Sequence, residues 1–120
     1  MSTGTQKARA DILNAKQKGN RGERELLAIL QEHGFQATRN DQTFVGGLHN
    51  PDISCTVDGV PLHIECKRVE KLSLAAAVKQ ARRDADGLAL PVIAHRRNRE
   101  EWLLTIPLKD ILAISDNSNG

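Results

Sequence analysis

Two alternating runs separated by Asp58-Gly59 constrain this chain more than any other feature. Asp-Gly readily takes the two left-handed positions of a type I′ turn, whose twist matches that of a β-hairpin. Pro51-Asp52-Ile53-Ser54-Cys55-Thr56-Val57 alternates before it, and Val60-Pro61-Leu62-His63-Ile64-Glu65-Cys66-Lys67 alternates after it. Ile53, Cys55 and Val57 share one strand face, as do Leu62, Ile64 and Cys66. Pro61 has no amide donor, which weakens pairing beside it. A two-residue turn sets Asp52 opposite Glu65. Their Cβ atoms would lie ~4.5–5.5 Å apart, where like charges repel. Lys67 points the same way as Glu65 and is one compensator. A divalent cation is another, because two carboxylates and a few waters describe a Mg²⁺ site.

A third carboxylate comes from the first helix. Asn20 is a good N-cap, Leu26, Leu27 and Leu30 recur at helical spacing, and Gly34 is a good terminator. Glu23 falls on the leucine stripe and points inward, whereas Glu25 is turned ~200° away, toward water. An inward carboxylate needs a partner. Closing a capping box with Asn20 is the other use for Glu23.

The remaining pattern is a strand near Phe35 to Arg39, a polar loop from Asn40 to Asn50, and a helix from Ser73 to Asp86. In that helix Leu74, Ala77, Val78, Ala81 and Ala85 form the stripe, Ser73 can cap it, and Gly87 can end it. Pro91 to Arg96 and Trp102 to Ile106 read as strands, and Pro107 to Ile114 as a short last helix. The order α, β, β, β, α, β, β, α predicts an α/β fold, a mixed sheet flanked by helices. Residues 1–17 read as a basic flexible arm, 18–114 as the folded domain, and 115–120 as a polar tail.

Composition narrows the function. The 120 residues suit one domain, and no apolar run nears the ~20 residues a membrane span needs. Two cysteines and a polar N-terminus suggest reduced thiols in a cytoplasmic protein. The net charge is only +2, yet residues 1–24 hold six Lys or Arg against two Asp or Glu. Basic clusters recur at Lys67-Arg68, Arg82-Arg83 and Arg96-Arg97-Asn98-Arg99. They read as solvated surface or as a face that meets phosphate. Aromatic residues are 2%, which argues against stacking platforms for single strands. The four histidines and two cysteines show no CxxC or HxxxH spacing, and His63 and Cys66 lie on opposite strand faces, so a zinc site is not expected. No phosphate-cradling Gly-rich loop is present.

Pro51-Asp52, a spacer, then Glu65-Cys66-Lys67 resembles the PD-(D/E)XK nuclease motif. Lys18-Gly19-Asn20-Arg21-Gly22-Glu23-Arg24-Glu25, followed by His33-Gly34-Phe35 and Arg39, is similar to the opening of archaeal-type Holliday junction resolvases. Ile64 to Leu72, Gln80 to Ala85 and Pro91 to Asn98 resemble phage and prophage members. The likeness spans about residues 18–112. It implies a restriction-endonuclease-like αβββαβ core and a Mg²⁺-dependent endonuclease, with Mn²⁺ as a substitute. It also implies a homodimer that cuts four-way DNA junctions in a bacterial or phage-infected cell, with no small-molecule cofactor and no membrane. These resolvases carry a Ser-containing stretch after the first strand, where this chain has Asn40 to Gly47, with Thr43 as a substitute.

By this resemblance Glu23, Asp52, Glu65 and Lys67 form the catalytic set, and Gln80 joins them from the second helix. Glu23, Asp52, Glu65 and the Cys66 carbonyl would hold metal. Lys67, kept protonated by two carboxylates, would orient the attacking hydroxide or steady the phosphate. Lys16, Lys18, Arg21, Arg39, Thr43, Arg68, Arg82, Arg96 and Arg97 would meet the nucleic acid. The alternatives are a flap, nick or duplex nuclease of the same fold, or a binding module without catalysis.

Overall fold

In the computed structural model, which describes residues 21–39 and 51–118, Asp58 (φ 50°) and Gly59 (φ 80°) both adopt the left-handed conformation. They close a hairpin in the register that a two-residue turn demands: Ile53 faces Ile64, Ser54 faces His63, and Val57 faces Val60. The elements in chain order are α1 (residues 21–32), β1 (Ala37–Arg39), β2 (Ile53–Val57), β3 (Val60–Arg68), α2 (Leu74–Ala85), β4 (Leu90–Arg96), β5 (Leu103–Thr105) and α3 (Leu108–Ser118). The strands form one sheet in the order β1-β2-β3-β4-β5. β3 and β4 run parallel, joined through α2, and the other neighbours are antiparallel.

Pro61 fits because of the turn. Val57 and Val60 are the hydrogen-bonded closing pair, so the next pair, Thr56 and Pro61, needs no bond between β2 and β3. The missing donor faces the β4 side, where pairing begins only at Leu62.

Each sheet face carries a helix. One face joins Ala37, Ile53, Cys55, Ile64, Cys66, Val92 and Ala94 to Leu26 of α1. The other joins Ile93 to Ala77 and Ala81 of α2, whose alanines allow close approach. With both faces covered, β4 reads as a continuous buried run from Pro91 to Ala94.

The helix ends follow local chemistry. Gly34 (φ +86°) ends α1, with the Phe35 amide on the Leu30 carbonyl and the Gly34 amide on the Gln31 carbonyl, a Schellman closure. Asp86, itself left-handed, and Gly87 end α2. Ser73 stands at the N-cap of α2 but its hydroxyl makes no capping bond; its carbonyl accepts the Ala77 amide instead. α3 extends to Ser118, beyond the expected stop at Ile114. No helix among the described residues is long and apolar enough to cross a membrane.

Candidate active site

The hairpin register continues one step beyond Ile53 and Ile64, setting Asp52 at the mouth of β2 beside Glu65 of β3. Asp52 Oδ2 accepts a hydrogen bond from the Cys66 amide at 2.8 Å. That bond anchors the carboxylate one residue past Glu65. The Asp52 carboxyl is pushed up to about 6, first by burial, then by the charges of Glu65 and Glu23 and a side-chain hydrogen bond with Glu65; the Cys66 amide opposes the rise. Three acids therefore share one electrostatic environment, although they come from α1, the mouth of β2, and β3.

Each acid has a support. Glu23 Oε2 accepts from Arg39 Nε of β1 at 2.7 Å, and both side chains are largely buried. Glu65, 8% exposed, meets His63 Nε2 through Oε1 at 2.8 Å. Positions 63, 65 and 67 share a strand face, so half-buried Lys67 lies on the side of Glu65. The Cys66 side chain lies on the opposite face, in the core, its thiol pushed up to about 12 chiefly by burial.

Glu25 does not point to water. It accepts from Trp102 Nε1 at 2.8 Å and pairs with Arg96, tying α1 to the β4–β5 turn. Helical angle located it opposite the leucine stripe, but Arg96 and Trp102, at the two ends of the β4–β5 turn, meet it there.

Gln80 is exposed on α2, one turn before Asp84. Arg82 pairs with Asp110 of α3 at 2.9 Å, and Arg96 also donates to the Glu100 carbonyl. Arg21 and Arg97 are exposed. Arg68 is half-buried, and its Nε has no hydrogen-bond partner among the described residues. Lys16, Lys18, Asn20 and Thr43 lie outside the described residues. Sequence reasoning missed the bonds of Glu65 to His63 and of Glu23 to Arg39; strand parity, which puts 63 and 65 on one face, was the available signal for the first.

Residues 14–117 match the family model described as archaeal Holliday junction resolvase (hjc). The chain belongs to the archaeal Holliday junction resolvase family. Within reach of this resolvase family, the crossover junction endodeoxyribonuclease Hje of Saccharolobus solfataricus is 33% identical over 109 residues, covering 83% of this chain and 81% of its own. Hje of Saccharolobus islandicus is 32% identical over the same length and coverage. The structure of Archaeoglobus fulgidus Hjc, a Holliday junction resolvase from an archaeal hyperthermophile, has a TM-score of 0.60 at 33% identity, covering 73% of this chain and 76% of that one. The mixed sheet flanked by helices is the fold that the resemblance implied. These relatives are archaeal.

Proposed function

We propose that this resolvase-family chain is a divalent-metal-dependent endodeoxyribonuclease that resolves four-way DNA junctions, as a homodimer making paired symmetric nicks. The observation that carries the reading is the gathering of Glu23 and Glu65 around Asp52, whose carboxyl is pushed up to about 6 first by burial and then by that company. A bound cation offsets both the cost of burying these charges and their mutual repulsion, so this donor set fits one.

Asp52 and Glu65 would hold the ion, with Glu23 as a further ligand. The Cys66 carbonyl joins them because the N–H and C=O of a strand residue face the same neighbour, and the Cys66 amide already faces Asp52. An all-oxygen set suits Mg²⁺, with Mn²⁺ as a substitute. When bound, such an ion supplies a water of lowered pKa and charge compensation at the leaving oxygen. Lys67 steadies the attacked phosphate from beside Glu65. Arg39 holds the Glu23 carboxylate in place, as the Cys66 amide holds that of Asp52. Gln80, exposed on α2, would join the catalytic set from that helix. The basic residues supply phosphate contacts, which position DNA without reading its sequence. Two symmetric cuts need two copies of the site, which is the reason for a dimer.

The test offers four-way junction, flap, nicked and linear duplex DNA side by side, with Mg²⁺ or with EDTA. Paired nicks confined to the junction, lost in EDTA and in Glu65→Gln, are the expected result. Equal cutting of linear duplex, or full cutting by Glu65→Gln, overturns the reading. Junction binding without any cutting would make the chain a binding module.

A further inference from the structure

Glu65 has a second set of neighbours besides Asp52 and Glu23. His63 Nε2 lies 2.8 Å from Glu65 Oε1, and Asp84 approaches from α2, so that one donor atom from each of the three lies within 4.8 Å of the others. His63 is 4% exposed and Glu65 8%, while Asp84 is half-buried. A cavity of about 550 Å³, lined in part by Ser54, Leu62, His63, Asp84 and Leu88, gives access to the His63–Asp84 side.

We propose that His63, Glu65 and Asp84 form a second cation site, for an imidazole-accepting transition ion of the zinc and cobalt class, which shares Glu65 with the acidic site. Metal bonds to imidazole nitrogen and carboxylate oxygen are about 2.0–2.2 Å, so two ligands at the tetrahedral angle stand about 3.4 Å apart. The His63–Glu65 separation, 2.8 Å, is within about 0.6 Å of that spacing. Closing the third ligand takes a side-chain movement on the order of 1 Å. The imidazole sets the ion class. Mg²⁺ keeps to oxygen donors and waters, whereas zinc and cobalt accept nitrogen with oxygen. No CxxC or HxxxH spacing marks this set, because its members come from a strand and from a helix that crosses it. Sharing has a consequence, which rests on the reading in the preceding section: an ion held by His63 and Asp84 draws on the carboxylate needed for cutting and lowers the rate.

The experiment titrates the full chain with Co²⁺, following its visible absorption and, by equilibrium dialysis, its stoichiometry. Wild type, Asp52→Asn, His63→Leu and Asp84→Asn are compared, with thermal melts to show that each is folded. Asp84→Asn changes neither size nor helix. One nitrogen-ligated Co²⁺ per chain is expected in wild type and in Asp52→Asn, weakened at least ~10-fold in Asp84→Asn and His63→Leu. In a second arm Zn²⁺ is added over Mg²⁺, and each protein is scored against its own Mg²⁺ rate; inhibition should weaken at least ~10-fold in Asp84→Asn. Unchanged Co²⁺ affinity in folded Asp84→Asn overturns the site. Equal Zn²⁺ inhibition of both proteins overturns the sharing of Glu65. A chain that cuts no DNA defeats the nuclease reading alone, since the Co²⁺ arm needs no turnover.

Discussion

The carboxylate of Asp52 is held by the backbone amide of Cys66, at 2.8 Å, and no side chain of opposite charge pairs with it among the described residues. A neutral amide offsets only part of the burial and repulsion, so the carboxyl rises to about 6 from its ordinary 3.8. A group raised in this way binds its proton more tightly in the folded chain than in the unfolded one. Between about pH 4 and 6 stability therefore falls as pH rises, and the cost of ionised Asp52 is fully present above about 6.

Replacing Asp52 by Asn should accordingly stabilise the metal-free protein at pH 8 and leave it unchanged near pH 3.5. Thermal melts of both proteins in EDTA at the two pH values check this. A lower melting point for Asp52→Asn at pH 8 would show that ionised Asp52 is held favourably after all.

The same titration should govern cutting. A cation competes with a proton for Asp52, so Mg²⁺-supported cleavage should decline as pH falls through about 6, and added Mg²⁺ should restore part of the loss. Initial rates from pH 5 to 8 at low and high Mg²⁺ measure it. A profile unaffected by metal concentration would detach Asp52 from the ion.

Glu25 joins α1 to the far end of the sheet through Trp102 and Arg96. Glu25→Ala removes the acceptor of the indole N–H and one of two acceptors of the Arg96 guanidinium, and should cost about 1–3 kcal/mol of stability. Trp102 is the sole tryptophan, so its emission reports the change directly. Glu25→Gln keeps an acceptor for the indole and should lie between the two. Unchanged emission and unfolding midpoint in the alanine variant would dismiss the tie.

A methyl group at Gly22 would sit 3.0 Å from Arg68 Cβ, at the end of β3. Either α1 or Arg68 must then give by a few tenths of an ångström, next to Glu23. Gly22→Ala should lose ~1–3 kcal/mol by overpacking, and its cleavage rate should fall with the fold intact. Denaturant unfolding together with junction cleavage separates the two effects.

Both thiols lie in the core, Cys55 at 5% and Cys66 at 8% exposure, and burial raises both. Neither should react with a thiol reagent in the native protein at pH 8, and both should react in denaturant. Fast native labelling would place β2 or β3 in a locally open state.

Much of this molecule could be read in one dimension. Asp58-Gly59 with alternation on either side determined the hairpin, its register and the meeting of Asp52 with Glu65. Gly34 marked the end of α1, and the alanine stripe of α2 its buried face. These features depend on a few neighbouring residues, whose turn conformations and strand parity operate over short distances. Only the tertiary structure decided that Glu25 would meet Trp102, that Arg39 would hold Glu23, and that Asp84 would approach His63. Such pairs join elements far apart in the chain, and their contact depends on how helices cross the sheet, an angle set by the packing of every side chain between them and visible in no single period.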